Sequence, residues 1–241
     1  MKLKSLHKIL ILLIISLTMQ FIAINNCYST ISHNIEFDVL DITIEYNKLP
    51  KELKTLGNTL KKGTIALKDN KKSVAEQELR NVIKNGTSLL NTVTRSHHST
   101  IYVFIGIARE LLGQTELALQ SYDHALSLRS DTIVALFRAA YIHTNNENCS
   151  EALPYLHELN WRLKRINDFN KKHLVKYIEA QCLARDNQLK RSINILDLAL
   201  KEKPDFIEAH RKLLFYRKNL LEVAKDAGEI RFLQNKINEH I

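Results

Sequence analysis

Residues 99–132 read STIYVFIGIARELLGQTELALQSYDHALSLRSDT. Apolar side chains recur in this stretch at three- and four-residue spacing (Leu111, Leu112, Ala118, Leu119, Tyr122, Ala125, Leu126), which is the period of a helix face. Gly113–Gln114 interrupts the run, so two helices joined by a tight turn are expected. Small residues sit at Gly106 and Ala118, and Tyr122, Ala125 and Ser130 follow. The same offsets recur from other anchors: Ala140 with Ala152, Leu156 and Leu159; Ala180 with Ser192, Leu196, Ala199 and Pro204; Gly63 with Ala75, Leu79 and Val82. Two antiparallel helices that pack closely need a small residue on each where the backbones cross, and large apolar residues then fill the gap to the next pair. A plain helical bundle would place small residues without a fixed offset. Four anchors each followed twelve residues later by Ala or Ser favour a repeat.

The pattern resembles the tetratricopeptide repeat (TPR) family. Tyr102-x₂-Ile105-Gly106, then Gly113, Ala118, Tyr122 and Ala125, follow that family's aromatic, small and aromatic positions, and Pro204 stands where the family has proline. The resemblance covers about residues 57–220. It implies an all-α, right-handed superhelical solenoid of antiparallel helix pairs, with repeats near 56–89, 99–132, 133–166 and 173–206 and C-terminal helices over 207–239. Anchor spacing is 34 residues from Gly106 to Ala140, but 43 before it and 40 after it, so a helix or loop is extended in both places.

Composition agrees. The chain has 241 residues, 45% hydrophobic and 25% charged, which suits a folded domain, and only 6 Gly and 3 Pro, which turn-rich β folds consume. Three Cys exclude a disulfide-dense mini-fold and a four-cysteine zinc site.

The N-terminus reads as an address. Lys2, Lys4 and Lys8 precede an apolar run over 9–24 broken by Ser16, Thr18 and Gln20, the pattern of a secretory signal peptide over 1–29. The run is short for a bilayer span, so export to the periplasm or beyond is favoured over an anchor by residues 9–24. Residues 30–48 form an acidic linker or docking segment in which Ile35, Phe37 and Val39 alternate with polar residues. Pro50 then opens the helical domain, 49–241, as the first residue of a helix. Thr115, Asp131, Ser150 and Asp205 are expected to cap later helices.

No catalytic, cofactor or metal site is expected. Gly57 to Gly63-Thr64 has one residue too many between its glycines and no Lys before Thr64, so it is not a phosphate loop. His97-His98 are adjacent and point apart on a helix, and no His/Cys cluster has ligand spacing. Residues 160–191 carry nine Lys or Arg against three acids, a patch that could meet an acidic protein, an anionic polymer or a membrane surface. Trp161, Phe169 and Tyr177 there have helix-core spacing rather than the interleaving that stacks bases, so nucleic acid is not favoured as partner.

In the resembled family the first helix of each repeat lines a concave groove. Its inner positions fall on Val103 and Ile107, then on Phe137, Arg138 and Tyr141, on Tyr177, Gln181 and Arg185, and on Arg211, Phe215 and Lys218. Aromatics beside bases suit an extended peptide or amphipathic helix with acidic groups. At each aromatic the alternative is packing between helices. Val103 and Ile107 replace the polar pair by which some family members grip C-terminal carboxylates, so that clamp is not implied. Cys149 and Cys182 reach one edge of the solenoid in this reading, as a disulfide or as two buried small side chains. The expected function is a non-catalytic scaffold or adaptor that binds a protein or peptide. No small-molecule substrate is expected, and membrane contact would come only through an uncleaved N-terminus.

Overall fold

The computed structural model describes residues 48–165, 172–224 and 227–238. The signal peptide, the apolar run over 9–24 and nearly all of the acidic linker lie outside these residues. Among the described residues ten α-helices follow one another: α1 (Lys51–Lys68), α2 (Lys72–Leu89), α3 (His98–Leu111), α4 (Thr115–Leu128), α5 (Ile133–Asn145), α6 (Cys149–Leu163), α7 (Lys172–Arg185), α8 (Leu189–Glu202), α9 (Ile207–Val223) and α10 (Ala227–Asn238). No strand occurs among the described residues. Extensive contacts join successive helices, and beyond these only α1 with α3 and α5 with α7. A closed bundle would bring distant helices together; contact restricted to near neighbours is the mark of a solenoid.

The anchors do what their size requires. A Cβ added at Gly106 would stand 2.5 Å from Cε1 of Tyr122, and one at Gly63 3.0 Å from the side chain of Leu79. Ala140 and Ala180 are fully buried, and so are the partners on the second helices: Ala75, Leu79 and Val82; Ala118, Tyr122 and Ala125; Ala152, Leu156 and Leu159; Ser192, Leu196 and Ala199. Ser130 and Pro204, just past those helices, are exposed. At the fourth crossing the Ser192 hydroxyl donates to the Ala180 carbonyl across 2.6 Å, which satisfies the one polar group placed there.

Each first helix also ends in the same way, seven residues after its anchor. Asn70, Gly113, Glu147 and Asn187 all have φ between 57° and 75°. The amide of the next residue reaches back to a carbonyl five positions earlier (Lys71 to Ala66, Gln114 to Arg109, Asn148 to His143, Gln188 to Leu183), each at 2.8 Å. This is the Schellman stop, in which a left-handed residue lets two amides satisfy the last carbonyls of a helix. That next residue is also the N-cap of the following helix. The turn therefore has no room for a separate capping side chain. Thr115 and Ser150 do not cap; Ser150 donates instead to the side chain of Asn148. α5 and α9 likewise begin without a side-chain cap, so Asp131 and Asp205 do not cap either. Pro50 lies one position outside α1, where its carbonyl accepts from the Lys54 amide at 3.0 Å.

The wide spacing from Gly63 to Gly106 arises because α1 and α2 each have 18 residues and a 3-10 turn, Arg95–His97, precedes α3. The extension between the third and fourth repeats falls after α6, where residues 166–171 lie outside the described set.

Candidate functional site

The nine candidate groove residues divide by burial. Phe137, Arg138, Tyr141, Tyr177 and Gln181 are buried, as are Val103 and Ile107. Arg185 lies at the rim, and Arg211, Phe215 and Lys218 are exposed.

The buried members serve the stack. Phe137 and Tyr141 lie one turn apart with near-parallel rings, centroids 6.4 Å apart. Tyr177 packs on Phe206, which His173 meets edge-on, both at 5.2 Å. Arg138, 0% exposed, donates to Glu110 at 3.2 Å, and the Tyr122 hydroxyl donates to the other Glu110 oxygen at 2.6 Å. A buried charge is tolerated only when paired and hydrogen-bonded. Glu110 on α3 thereby joins α4 of its own repeat to α5 of the next. Sequence reasoning placed Arg138 at the groove and missed Glu110; the available signal was an acid one turn past the Gly106 anchor. The Arg185 guanidinium donates to the Thr144 carbonyl in the last turn of α5 and lies 3.7 Å from Glu147, so it closes a turn.

The exposed members stand on α9. Ile207, Arg211, Phe215 and Lys218 are spaced by four, four and three residues, one stripe of the helix, while Ala209, Leu213 and Tyr216 face inward. Phe215 is 55% exposed.

Four of the nine bases of the patch meet acids within the chain. Arg162 meets Glu158 at 2.6 Å, Lys176 meets Glu202 at 2.5 Å, Lys190 meets Glu229 at 2.8 Å, and Arg185 meets Glu147. Trp161 is not a core residue as its spacing suggested. It is 43% exposed, with the guanidiniums of Arg165 and Arg162 over its ring at 3.7 and 4.8 Å. Phe169 lies outside the described residues.

Cys149, the first residue of α6, and Cys182, on α7, are joined as a disulfide with Cα atoms 5.2 Å apart, inside the range such a bond requires. No group of three metal-ligating side chains occurs among the described residues. Gly57, Gly63 and Thr64 are buried within α1. An open cavity of about 490 Å³ lies beside Arg95, Ser96, Ser127 and Arg129, but Arg129 is turned towards Asp131 at 3.4 Å and Ser127 donates to the His124 carbonyl at 2.8 Å.

No family model matches the chain, and no curated protein matches it. Solved structures do. MamA from Desulfovibrio magneticus RS-1 (residues 41 to the end) has a TM-score of 0.57 at 18% identity over 79% of this chain and 94% of that one. The C-terminal part of a TPR repeat-containing protein from Cytophaga hutchinsonii has a TM-score of 0.54 at 15% identity, over 88% and 78%. BtubC from P. vanneervenii has 0.51 at 15% identity, over 79% and 88%. At these identities the likeness is one of fold, and the fold is a TPR-like helical repeat.

Proposed function

We propose that this chain is an exported, non-catalytic scaffold that holds a peptide or helix of a partner protein, with α9 supplying the accessible part of the concave surface of a right-handed superhelix. The stripe Arg211, Phe215 and Lys218, which Ile207 extends by one turn, carries this reading, because all three family inner positions on this helix are exposed. An exposed phenylalanine between two cations suits a partner segment that pairs an apolar side chain with acids. Export is supported by the leader pattern and by the Cys149–Cys182 pair, a bond that persists in oxidising compartments. The rival reading, an anionic polymer or surface on residues 160–191, is weakened by the acidic partners of Arg162, Lys176, Arg185 and Lys190. A membrane-tethered form would depend on residues 9–24; no helix among the described residues is long and apolar enough to cross a membrane.

The test is affinity capture with the exported chain and with Phe215→Ala and Arg211→Glu. Each substitution is expected to lower recovery of the partner about tenfold, the size of a single contact hot spot. Equal recovery by all three chains would remove α9 from the binding surface.

A further inference from the structure

The two sulfurs of the Cys149–Cys182 bond have unlike surroundings. Cys149 is part-exposed and follows a turn, Asn146–Asn148, whose three residues are all exposed. Cys182 is 1% exposed, with the Thr144 hydroxyl 3.3 Å from its Sγ. The Thr144 carbonyl in turn accepts from Arg185. Solvent therefore meets the bond from the Cys149 side.

We infer that Cys149 is a site of thiol–disulfide exchange that takes a low-molecular-weight thiol as a mixed disulfide, with Cys182 as the leaving sulfur. The thiolate of the small thiol attacks Cys149 Sγ and a new S–S bond forms there. The Cys149–Cys182 bond breaks, and its electron pair stays on Cys182 Sγ, which takes a proton from water. One disulfide is exchanged for another, so the step needs no oxidant. In the reverse step the Cys182 thiolate attacks Cys149 and expels the small thiol. Which sulfur is attacked follows here from access, which favours Cys149. The exchange releases the head of α6 from α7, so it loosens the third repeat from the fourth at one edge while the Arg185 contacts to Thr144 and Glu147 remain.

The oxidised full-length chain is incubated with reduced glutathione, free thiols are blocked with iodoacetamide, and peptides are mapped by mass spectrometry, with circular dichroism reporting that the helices persist. Glutathione is expected on Cys149 and the blocking group on Cys182, with at least about tenfold preference over the reverse. Glutathione distributed equally or mainly on Cys182 would overturn the assignment. So would adducts that form only after urea unfolds the chain, or two free thiols before any glutathione is added.

Discussion

The helix pair α5–α6 and the helix α9 place the same kinds of residue at the same repeat positions and treat them in opposite ways. Phe137, Arg138 and Tyr141 on α5 are buried, whereas Arg211, Phe215 and Lys218 on α9 are exposed. α5 packs against helices on both sides and also meets α7, while α9 has only α8 and α10 as extensive neighbours. Register within a repeat says which side of the helix a residue is on. Whether that side is a surface depends on the next helices along the stack.

The sharpest way to break this comparison is to substitute one inner position on each helix. Arg138→Ala leaves the part-buried Glu110 carboxylate with the Tyr122 hydroxyl as its remaining described partner. It is expected to cost about 3–5 kcal/mol, the usual price of orphaning a buried ion. Phe215→Ala is expected to change stability by no more than about 0.5 kcal/mol, as exposed substitutions do. Urea unfolding followed by circular dichroism measures both. Equal losses would mean that α5 and α9 are alike and that the division of the groove is wrong.

Much of the repeat was legible because its cause is steric and local. The offsets from Gly63, Gly106, Ala140 and Ala180 needed only side-chain size, and their partners within the second helices are buried as a crossing requires. The caps at Thr115 and Ser150 were misread because a preference for Ser or Thr before a helix assumes a free position there. A Schellman stop uses that position for its own returning amide. The groove was misread because tertiary neighbours decide it: no spacing within α3 shows that Glu110 will meet Arg138 from the next hairpin. The Cys149–Cys182 juxtaposition followed from antiparallel helices alone, though oxidation of the pair depends on the compartment.

A second comparison lies between the two anchor glycines. At Gly106 an added methyl meets the ring of Tyr122 at 2.5 and 2.8 Å, and that hydroxyl is fixed on Glu110, so the ring cannot swing away. Gly106→Ala is expected to cost about 1–3 kcal/mol through overpacking. At Gly63 the neighbour is the far end of Leu79 at 3.0 Å, which can shift by a fraction of an ångström. There the relief of a helical glycine, about 0.5–1 kcal/mol, offsets the crowding and Gly63→Ala falls close to neutral. If Gly106→Ala proved as mild as Gly63→Ala, the second repeat would not be more tightly crossed than the first.

The four left-handed turn residues offer a smaller contrast. Asn70, Gly113 and Asn187 suit φ near 60°, while Glu147 at 61° does not. Its contact with Arg185, 3.7 Å with the Glu147 side chain 80% exposed, offers little in return. Glu147→Asn is expected to raise stability by about 0.5–1 kcal/mol, and Asn187→Ala to lower it by about as much. A loss on Glu147→Asn would show that the Arg185 contact outweighs the backbone strain.

The smallest effect appears only in alkali, and it separates two ties between the same pair of repeats. Arg138 is fully buried against a part-buried Glu110. Tyr155 on α6 is part-exposed and donates to Asp123 on α4 at 2.9 Å, its ring 5.7 Å from that of His143. Burial first, and then the hydrogen bond and charge of Asp123, push the Tyr155 hydroxyl up from 10.0 to about 12. A raised value means that the folded chain holds this proton more tightly than the unfolded chain does. The contribution is therefore complete below about pH 10 and fades as pH rises through about 12. Tyr155→Phe removes the group, so its stability should fall less steeply than that of the parent chain over this interval. An ultraviolet titration should also lose one tyrosine that ionises late. If the variant kept the parental slope, the loss in alkali would arise elsewhere in the chain, and Asp123 would not hold the Tyr155 proton between the two repeats.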